Sequence, residues 1–168
     1  MTIRVRDETP QDFAAIRRVV TSAFGRDGES KLVDALRDEG YARLSLVAES
    51  DGEVVGHILF SDLAIVAPDA THRALALAPL AVGPAQQRQG IGSSLVREGL
   101  RCLTEAGHRI VIVLGHPAYY PSFGFSPELA RQLSSPYAGS SFMALELVEG
   151  AMNGVRGNVE YPPPFSKF

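Results

Sequence analysis

The apolar positions of this chain recur with two different periods. Residues 2–6 (TIRVR) alternate apolar and polar, which predicts a short strand. Thr9-Pro10-Gln11-Asp12 then reads as a helix start, with Thr9 as N-cap, Pro10 in the first turn and Asp12 facing the free amides. Phe13, Ile16, Val19 and Val20 follow at helical spacing until Gly25. A second helix is predicted from about Glu29 to Asp38, with Leu32, Val33 and Leu36 on one side and Gly40 where a left-handed cap would fall. Leu44–Glu49 and Glu53–Val66 are apolar and β-branched around Ser50-Asp51-Gly52, a hairpin signal. Residues 73–82 (RALALAPLAV) extend again. A long helix is predicted from Gly90 to Ala106, with Ile91, Leu95, Gly99, Cys102 and Ala106 inward and Gly107 as its stop. Arg109–Gly115 (RIVIVLG) reads as a strand buried on both faces. Phe142–Val148 and Val155–Tyr161 complete the order β-α-α-β-β-β-α-β-α-β-β. No linker or repeat divides residues 1–168, so the expectation is a single domain of the α/β (α+β) class.

Composition narrows the function classes. The 168 residues, 45% hydrophobic and 21% charged, have the balance of an ordinary globular domain. Net charge is −3 and no block of Lys and Arg occurs, which argues against a nucleic-acid partner. The charged start MTIRVRDETP does not resemble a signal peptide, and the longest apolar run, Ala74–Val82, is far short of the ~20 residues that cross a bilayer. The expectation is a cytoplasmic protein with no membrane partner. The single cysteine, Cys102, excludes an internal disulfide and reads as core rather than nucleophile. No His, Asp and Glu cluster has metal-ligand spacing, so no metal is expected.

Candidate chemistry concentrates in Leu80–Ser93 (LAVGPAQQRQGIGS), a strand, a tight loop and a helix start. The first amides of a helix are unpaired and carry partial positive charge, which suits phosphate. Gly90 and Gly92 remove side chains where a phosphate oxygen would approach; they serve equally as plain turn residues. The pattern lacks the Lys-Ser or Lys-Thr of a Walker loop and the third glycine of a dinucleotide fingerprint. Pro79 cannot donate to a ladder, so it implies an edge, a bulge, a break that frees amides beside this loop, or simply the end of the strand.

Gln87-Arg88-Gln89-Gly90-Ile91-Gly92 resembles the Q/R-x-x-G-x-G/A signature of the GNAT superfamily of acyl-CoA-dependent N-acetyltransferases. Tyr119-Tyr120-Pro121-Ser122-Phe123-Gly124-Phe125 is similar to that family's Y-x-x-x-G-F segment. LAPLAVGPAQQRQGIG, LGHPAYYPSFGF and the ending FMALEL…GVRGNVEYPPPF together resemble its YhbS-like branch, over nearly the whole chain. The resemblance implies a mixed, mostly antiparallel sheet flanked by helices and splayed between strands 4 and 5. It also implies an enzyme that transfers acetyl from acetyl-CoA, as co-substrate, to a primary amine in a direct ternary complex. A non-catalytic acyl-CoA-sensing module of the same fold is the alternative. A homodimer through the C-terminal strands is common in such folds.

Residue by residue, the resemblance sets the Leu80 amide against the thioester carbonyl, and Ala81 and Val82 along the pantetheine arm. Backbone amides from Gln87, Arg88, Gln89, Gly90, Ile91, Gly92 and Ser93 would wrap the pyrophosphate, with the Arg88 side chain at the rim. Tyr120 takes the family's tyrosine position as proton donor to the leaving thiolate; its other reading is a packing tyrosine. The general base is open among Glu29, His57, Ser61, His116 and water, because RALALAPLAV lacks the carboxylate some members carry there. The acceptor amine is not specified by the sequence, and the near-neutral charge favours a small molecule over a protein.

Overall fold

The computed structural model describes residues 2–168. Its order is β1 (Ile3–Asp7), α1 (Phe13–Phe24), α2 (Gly28–Asp38), β2 (Ala42–Ser50), β3 (Glu53–Val66), β4 (Thr71–Val82), α3 (Ile91–Glu105), β5 (Ile110–Leu114), β6 (Leu133–Ser134), β7 (Phe142–Glu146) and β8 (Gly157–Glu160). The strands hydrogen-bond in the order β1-β2-β3-β4-β5-β7, with β8 against β3 and β6 against β8. Only β4–β5 and β6–β8 are parallel among the pairings described; β1–β2, β2–β3, β3–β8 and β5–β7 are antiparallel. The sheet is therefore mixed and mostly antiparallel, in the α+β class. The parallel β4–β5 register covers Leu75↔Val111 and Ala76↔Ile112.

Local signals set most of these boundaries. The Thr9 amide donates to Asp12 Oδ2 at 2.7 Å, and Arg6 of β1 grips both oxygens of that carboxylate at 2.8 and 3.0 Å. The start of α1 is thus tied to the strand before it. Gly25 (φ 70°) ends α1, and Gly40 (φ 83°) ends α2. Asp51 and Gly52, at φ 51° and 82°, form the two-residue turn between β2 and β3, whose positive angles match the right-handed twist of a hairpin.

Two expectations are corrected. No α-helix lies between β5 and β7: residues 116–141 hold a 3₁₀ turn at Tyr120–Phe123 and the short β6. Pro117, Pro121, Gly124, Pro127, Pro136 and Gly139 interrupt that stretch too often for several turns of helix. Cys102 is only half-buried, with Arg101 Nη2 3.6 Å from its sulfur, and Ala106 is exposed. The inward stripe of α3 is Ile91, Leu95, Val96, Gly99 and Leu103; Cys102 sits at its margin, and Ala106 lies past the last helical residue.

The packing divides the chain into two compact units. The first holds the chain up to Ser61, Ala78–Gly99 and Pro163–Phe168; the second holds Asp62–Leu77 and Leu100–Pro162. In the first, Ile16 and Val20 of α1 and Leu32, Val33 and Leu36 of α2 bury Val47, Leu59 and Ala81, with Phe165 partly buried against them. The opposite side of β3 meets α3, where Gly56 lies under Ile91 and Leu95, and Gly99 under Phe60. Both faces of β3 are covered, which accounts for its nearly unbroken apolar run. In the second unit, Ile110–Val113 of β5 are buried on both faces beside β7.

A polar network crosses the first unit. Arg37 of α2 donates to both oxygens of Glu8 (2.9 and 3.0 Å) and to Asp34 at 3.1 Å, and its guanidinium lies 3.8 Å above the Phe13 ring. Ser45 of β2 donates to Glu8 Oε1 at 2.6 Å, since an ionised carboxylate can only accept. The same hydroxyl is 2.8 Å from His57 Nε2 on β3. Its single hydrogen is committed to Glu8, so Nε2 must carry the imidazole proton and Nδ1 the lone pair. His57 is fully buried, and Nδ1 has no partner among the described residues.

Burial pushes the His57 imidazole down to about 4; the Glu8 carboxylate opposes this shift and Arg37 adds to it. Burial raises the Glu8 carboxyl, but the hydrogen bonds from Arg37 and Ser45 outweigh it and leave the group below its usual range. Between about pH 6.5 and about pH 4 the unfolded chain binds a proton at His57 that the folded chain refuses. Stability therefore falls as pH drops through that window, by roughly 3 kcal/mol for this imidazole. Denaturant unfolding at about pH 7 and about pH 4.5 should show a smaller loss in His57→Gln than in the wild type; an equal loss would show that the imidazole is not responsible. The α3–β3 contact gives a second test. A methyl group at Gly99 would lie 2.5 and 2.8 Å from two carbons of the Phe60 ring. Gly99→Ala should therefore destabilise by about 1–3 kcal/mol despite a helix-propensity gain of about 1 kcal/mol. Combined with Phe60→Leu, it should cost less than the sum of the two single changes, as read from a double-mutant cycle.

Candidate functional site

The sequence-predicted loop is built at the end of β4. The Ala78–Pro79 peptide is cis, and the strand runs past Pro79 to Val82 rather than ending there. Ala81 is buried in the α1–α2 core, while Leu80 and Val82 are half-buried. The Gly83 amide donates to the Val55 carbonyl at 2.9 Å and fixes the strand end against β3. A 3₁₀ turn at Pro84–Gln86 follows, and the Gln87 side-chain amide donates back to the Val82 carbonyl at 3.0 Å. This bond staples the loop to the strand it leaves.

Arg88 (φ 65°) and Gly90 (φ 83°) both take left-handed backbone angles, the kind of turn from which backbone anion nests are made. The first intrahelical bond of α3 runs from the Ser94 amide to the Gly90 carbonyl at 3.0 Å. Gly90 is thus the N-cap, and the amides of Ile91 and Gly92 belong to the first turn, where a helix leaves its donors unpaired. Gln87, Arg88, Gln89 and Gly90 are exposed, Gly92 and Ser93 are half-buried, and Ile91 anchors the turn in the core. A Cβ built on Gly90 meets nothing within 4 Å, so the amide surface is open on that side. A helix of 15 residues adds the positive end of its dipole to those donors. The donors that such a helix start offers an anion need no cationic side chain.

Tyr120 belongs to the other unit. The His116 carbonyl accepts from the Tyr119 and Tyr120 amides at 3.0 and 3.3 Å, which starts the turn straight after β5. The Tyr120 ring packs edge-on against Tyr119 and Phe125, with centroids 5.1 and 5.6 Å apart. It also lies so close over Gly115 that a side chain there would collide with it. Burial pushes its hydroxyl up to about 12, with a smaller contribution from Tyr119. Near neutral pH this phenol keeps its proton, and its chemistry is that of a donor.

The base candidates sort by their surroundings. Arg26 holds Glu29 with two hydrogen bonds of 3.0 and 2.7 Å, chiefly for which the carboxyl lies below its ordinary range, making it a poor proton acceptor. His57 is enclosed in the network with Glu8, Arg37 and Ser45. Ser61 is fully buried, and its hydroxyl has no partner among the described residues. The His116 residue is exposed and contributes its carbonyl to the turn. Sequence reasoning singled out His57 but missed Glu8, Arg37 and Ser45, which lie up to 49 positions from it (57 − 8) and carry no local signal. No described helix is long and apolar enough to cross a membrane.

Comparison with known proteins follows the same lines. The family model described as an acetyltransferase (GNAT) domain matches residues 4–127. YhbS of Escherichia coli strain K12, named an uncharacterized N-acetyltransferase, is 38% identical over 167 residues, which cover 98% of this chain and 99% of that protein. YjhQ of the same strain, named likewise, is 41% identical over 128 residues, covering 75% of this chain and 70% of its own. Among solved structures, E. coli YhbS in complex with CoA matches with a TM-score of 0.91 at 37% identity, covering 99% of this chain and 93% of that one. A GNAT family acetyltransferase from Brucella melitensis in complex with acetyl-CoA matches at 0.81 and 38% identity, with 98% of both chains covered. With a family model spanning most of its length and a near-full-length relative at this identity, the chain belongs to the GNAT family of acetyltransferases.

Proposed function

We propose that this protein transfers the acetyl group of acetyl-CoA to a primary amine of a small-molecule acceptor, by direct attack in a ternary complex. The observation that carries the proposal is the exposed backbone of Gln87–Gly90, left-handed at Arg88 and Gly90, that leads into the N-terminus of α3. A diphosphate suits that surface, and two relatives of similar sequence are described as complexes with CoA and acetyl-CoA. In this reading the pantetheine arm, which carries amides of its own, lies along Leu80, Ala81 and Val82 as an added strand would. The Leu80 amide receives the oxyanion, and the Arg88 side chain stands at the phosphate rim.

The acceptor must arrive as a neutral amine, whereas a free alkylammonium holds its proton up to about pH 10.4. Its nitrogen attacks the thioester carbon and forms a tetrahedral oxyanion. That intermediate collapses with cleavage of the C–S bond, and the thiolate takes a proton from Tyr120. The phenoxide is then reprotonated through solvent, which also receives the proton released by the amine. A phenol at about 12 is a weaker acid than a thiol near the ~8.5 of cysteine. Protonation therefore gains only as the charge on sulfur develops, which places its contribution at the low end of the usual 10² to 10⁴.

Two variant pairs test the two halves of the proposal. At Gly90 any side chain incurs the same backbone cost of about 1 kcal/mol, so Gly90→Ala is the control for Gly90→Glu. Calorimetry should show acetyl-CoA binding kept in Gly90→Ala and lost in Gly90→Glu; equal affinities would remove the pyrophosphate from this loop. Tyr120→Phe deletes only the hydroxyl and should lower kcat about a hundredfold with little change in acetyl-CoA affinity, while Tyr119→Phe does much less. Wild-type turnover in Tyr120→Phe would defeat the acid role. Acetyl-CoA binding with no amine-dependent release of CoA thiol, across a panel of small amines, would favour the sensing module instead.

A further inference from the structure

A second cleft opens wholly within the second unit, where the start of β4, the end of α3 and the start of β5 converge. Its volume is about 310 Å³, and Arg73, His108 and Arg109 line it over a floor that includes Leu75 and Ile110. Arg73 and Arg109 each stand two residues before the parallel-paired Leu75 and Val111, and both line this cleft. Like charges on neighbouring strands repel. Six other arginines, Arg6, Arg17, Arg26, Arg37, Arg101 and Arg131, each hold a carboxylate. Among the described residues neither Arg73 nor Arg109 has such a partner. The carboxylate in the lining, Asp62, is engaged in an interaction of its own and by neither guanidinium.

Capping of α3 does not account for the two arginines. The Ala106, Gly107 and His108 amides already bond the Cys102, Thr104 and Leu103 carbonyls at 3.0, 3.1 and 3.0 Å, so the last turn is closed by backbone alone. What remains is a pair of cations at the wall of a cleft, with an imidazole beside them. Each guanidinium presents a planar fork of donors that matches two oxygens of one anion. We infer that this cleft binds a small oxyanion carrying two or more negative charges, phosphate or polycarboxylate in kind, at a site separate from the loop at Gln87–Ser93. The bound charge would relieve the repulsion between Arg73 and Arg109, so the anion should also stabilise the fold.

The full-length protein in anion-free buffer, at constant ionic strength set with chloride, tests this by NMR titration with inorganic phosphate, citrate and acetate. The expected result is saturable shifts at the Gly107, His108 and Arg109 amides, with phosphate or citrate at least tenfold tighter than acetate. Tighter phosphate identifies a phosphorylated ligand, and tighter citrate a polycarboxylate. Arg73→Gln/Arg109→Gln should weaken binding at least tenfold and, without anion, unfold at the same or a higher temperature than the wild type. Shifts confined to Ile91–Ser93, equal affinity in the double variant, or a lower unfolding temperature for it in anion-free buffer would each overturn the inference. The last of these would mean that the arginines support the fold itself.

Discussion

A buried imidazole that must stay uncharged is the constraint on which the first unit rests. Water cannot reach His57, so its one N–H needs a protein acceptor, and the Ser45 hydroxyl serves only because it sends its own hydrogen on to Glu8. Glu8 in turn stays ionised because Arg37 straddles it. Every link from Arg37 to the His57 Nε2–H is made, with only the Nδ1 lone pair left without a partner, and the members come from the residue after β1, from α2, from β2 and from β3. Breaking any of these links would leave a buried polar group unpaired, which costs more than an apolar substitute. β3 is thereby pinned, and it passes the constraint on: its Val55 carbonyl holds Gly83, at the mouth of the loop that leads into α3.

The two units treat electrostatics differently. Around Gln87–Ser93 the useful charge is the partial charge of oriented amides, fixed by backbone angles and indifferent to pH. At Tyr120 it is a real proton, held on a phenol by an enclosure of aromatic rings. In the proposed reaction, recognition of a phosphate and delivery of a proton therefore answer to separate physical controls. Substitutions that alter the curl of the loop change what is held; those that rehydrate the tyrosine change what can be donated.

Legibility of these features in the sequence follows how local their causes are. The Asp51-Gly52 turn, the Gly25 and Gly40 helix ends and the Thr9–Asp12 helix start were readable because each depends on neighbours within a few residues. The loop around Gly90 was readable as a resemblance, and its left-handed Gly90 has a local reason; the left-handed Arg88 carries no residue-type signal at all. The inward stripe of α3 was found, but its width was overdrawn at Cys102 and its length at Ala106, since periodicity fixes the phase of a helix better than its edge or end. The helix expected between β5 and β7 does not form, because proline and glycine recur too closely along that stretch. The Glu8–Arg37–Ser45–His57 network stayed invisible, since four polar residues spread over 50 positions meet only once the strands have registered.

The way the units interleave along the chain bears on biosynthesis. The first unit is assembled from three separated stretches, and the latest of them, Pro163–Phe168, supplies Phe165 to the α1–α2 core. A ribosome delivers residues in order, so α1 and α2 emerge long before the segment that finishes their burial. Through most of translation their apolar stripes lack that cover, and the non-local pairings that complete the unit form late and slowly. The packing of α1 and α2 is thus completed only once Pro163–Phe168 has been made, and neither unit is a single uninterrupted stretch of the chain.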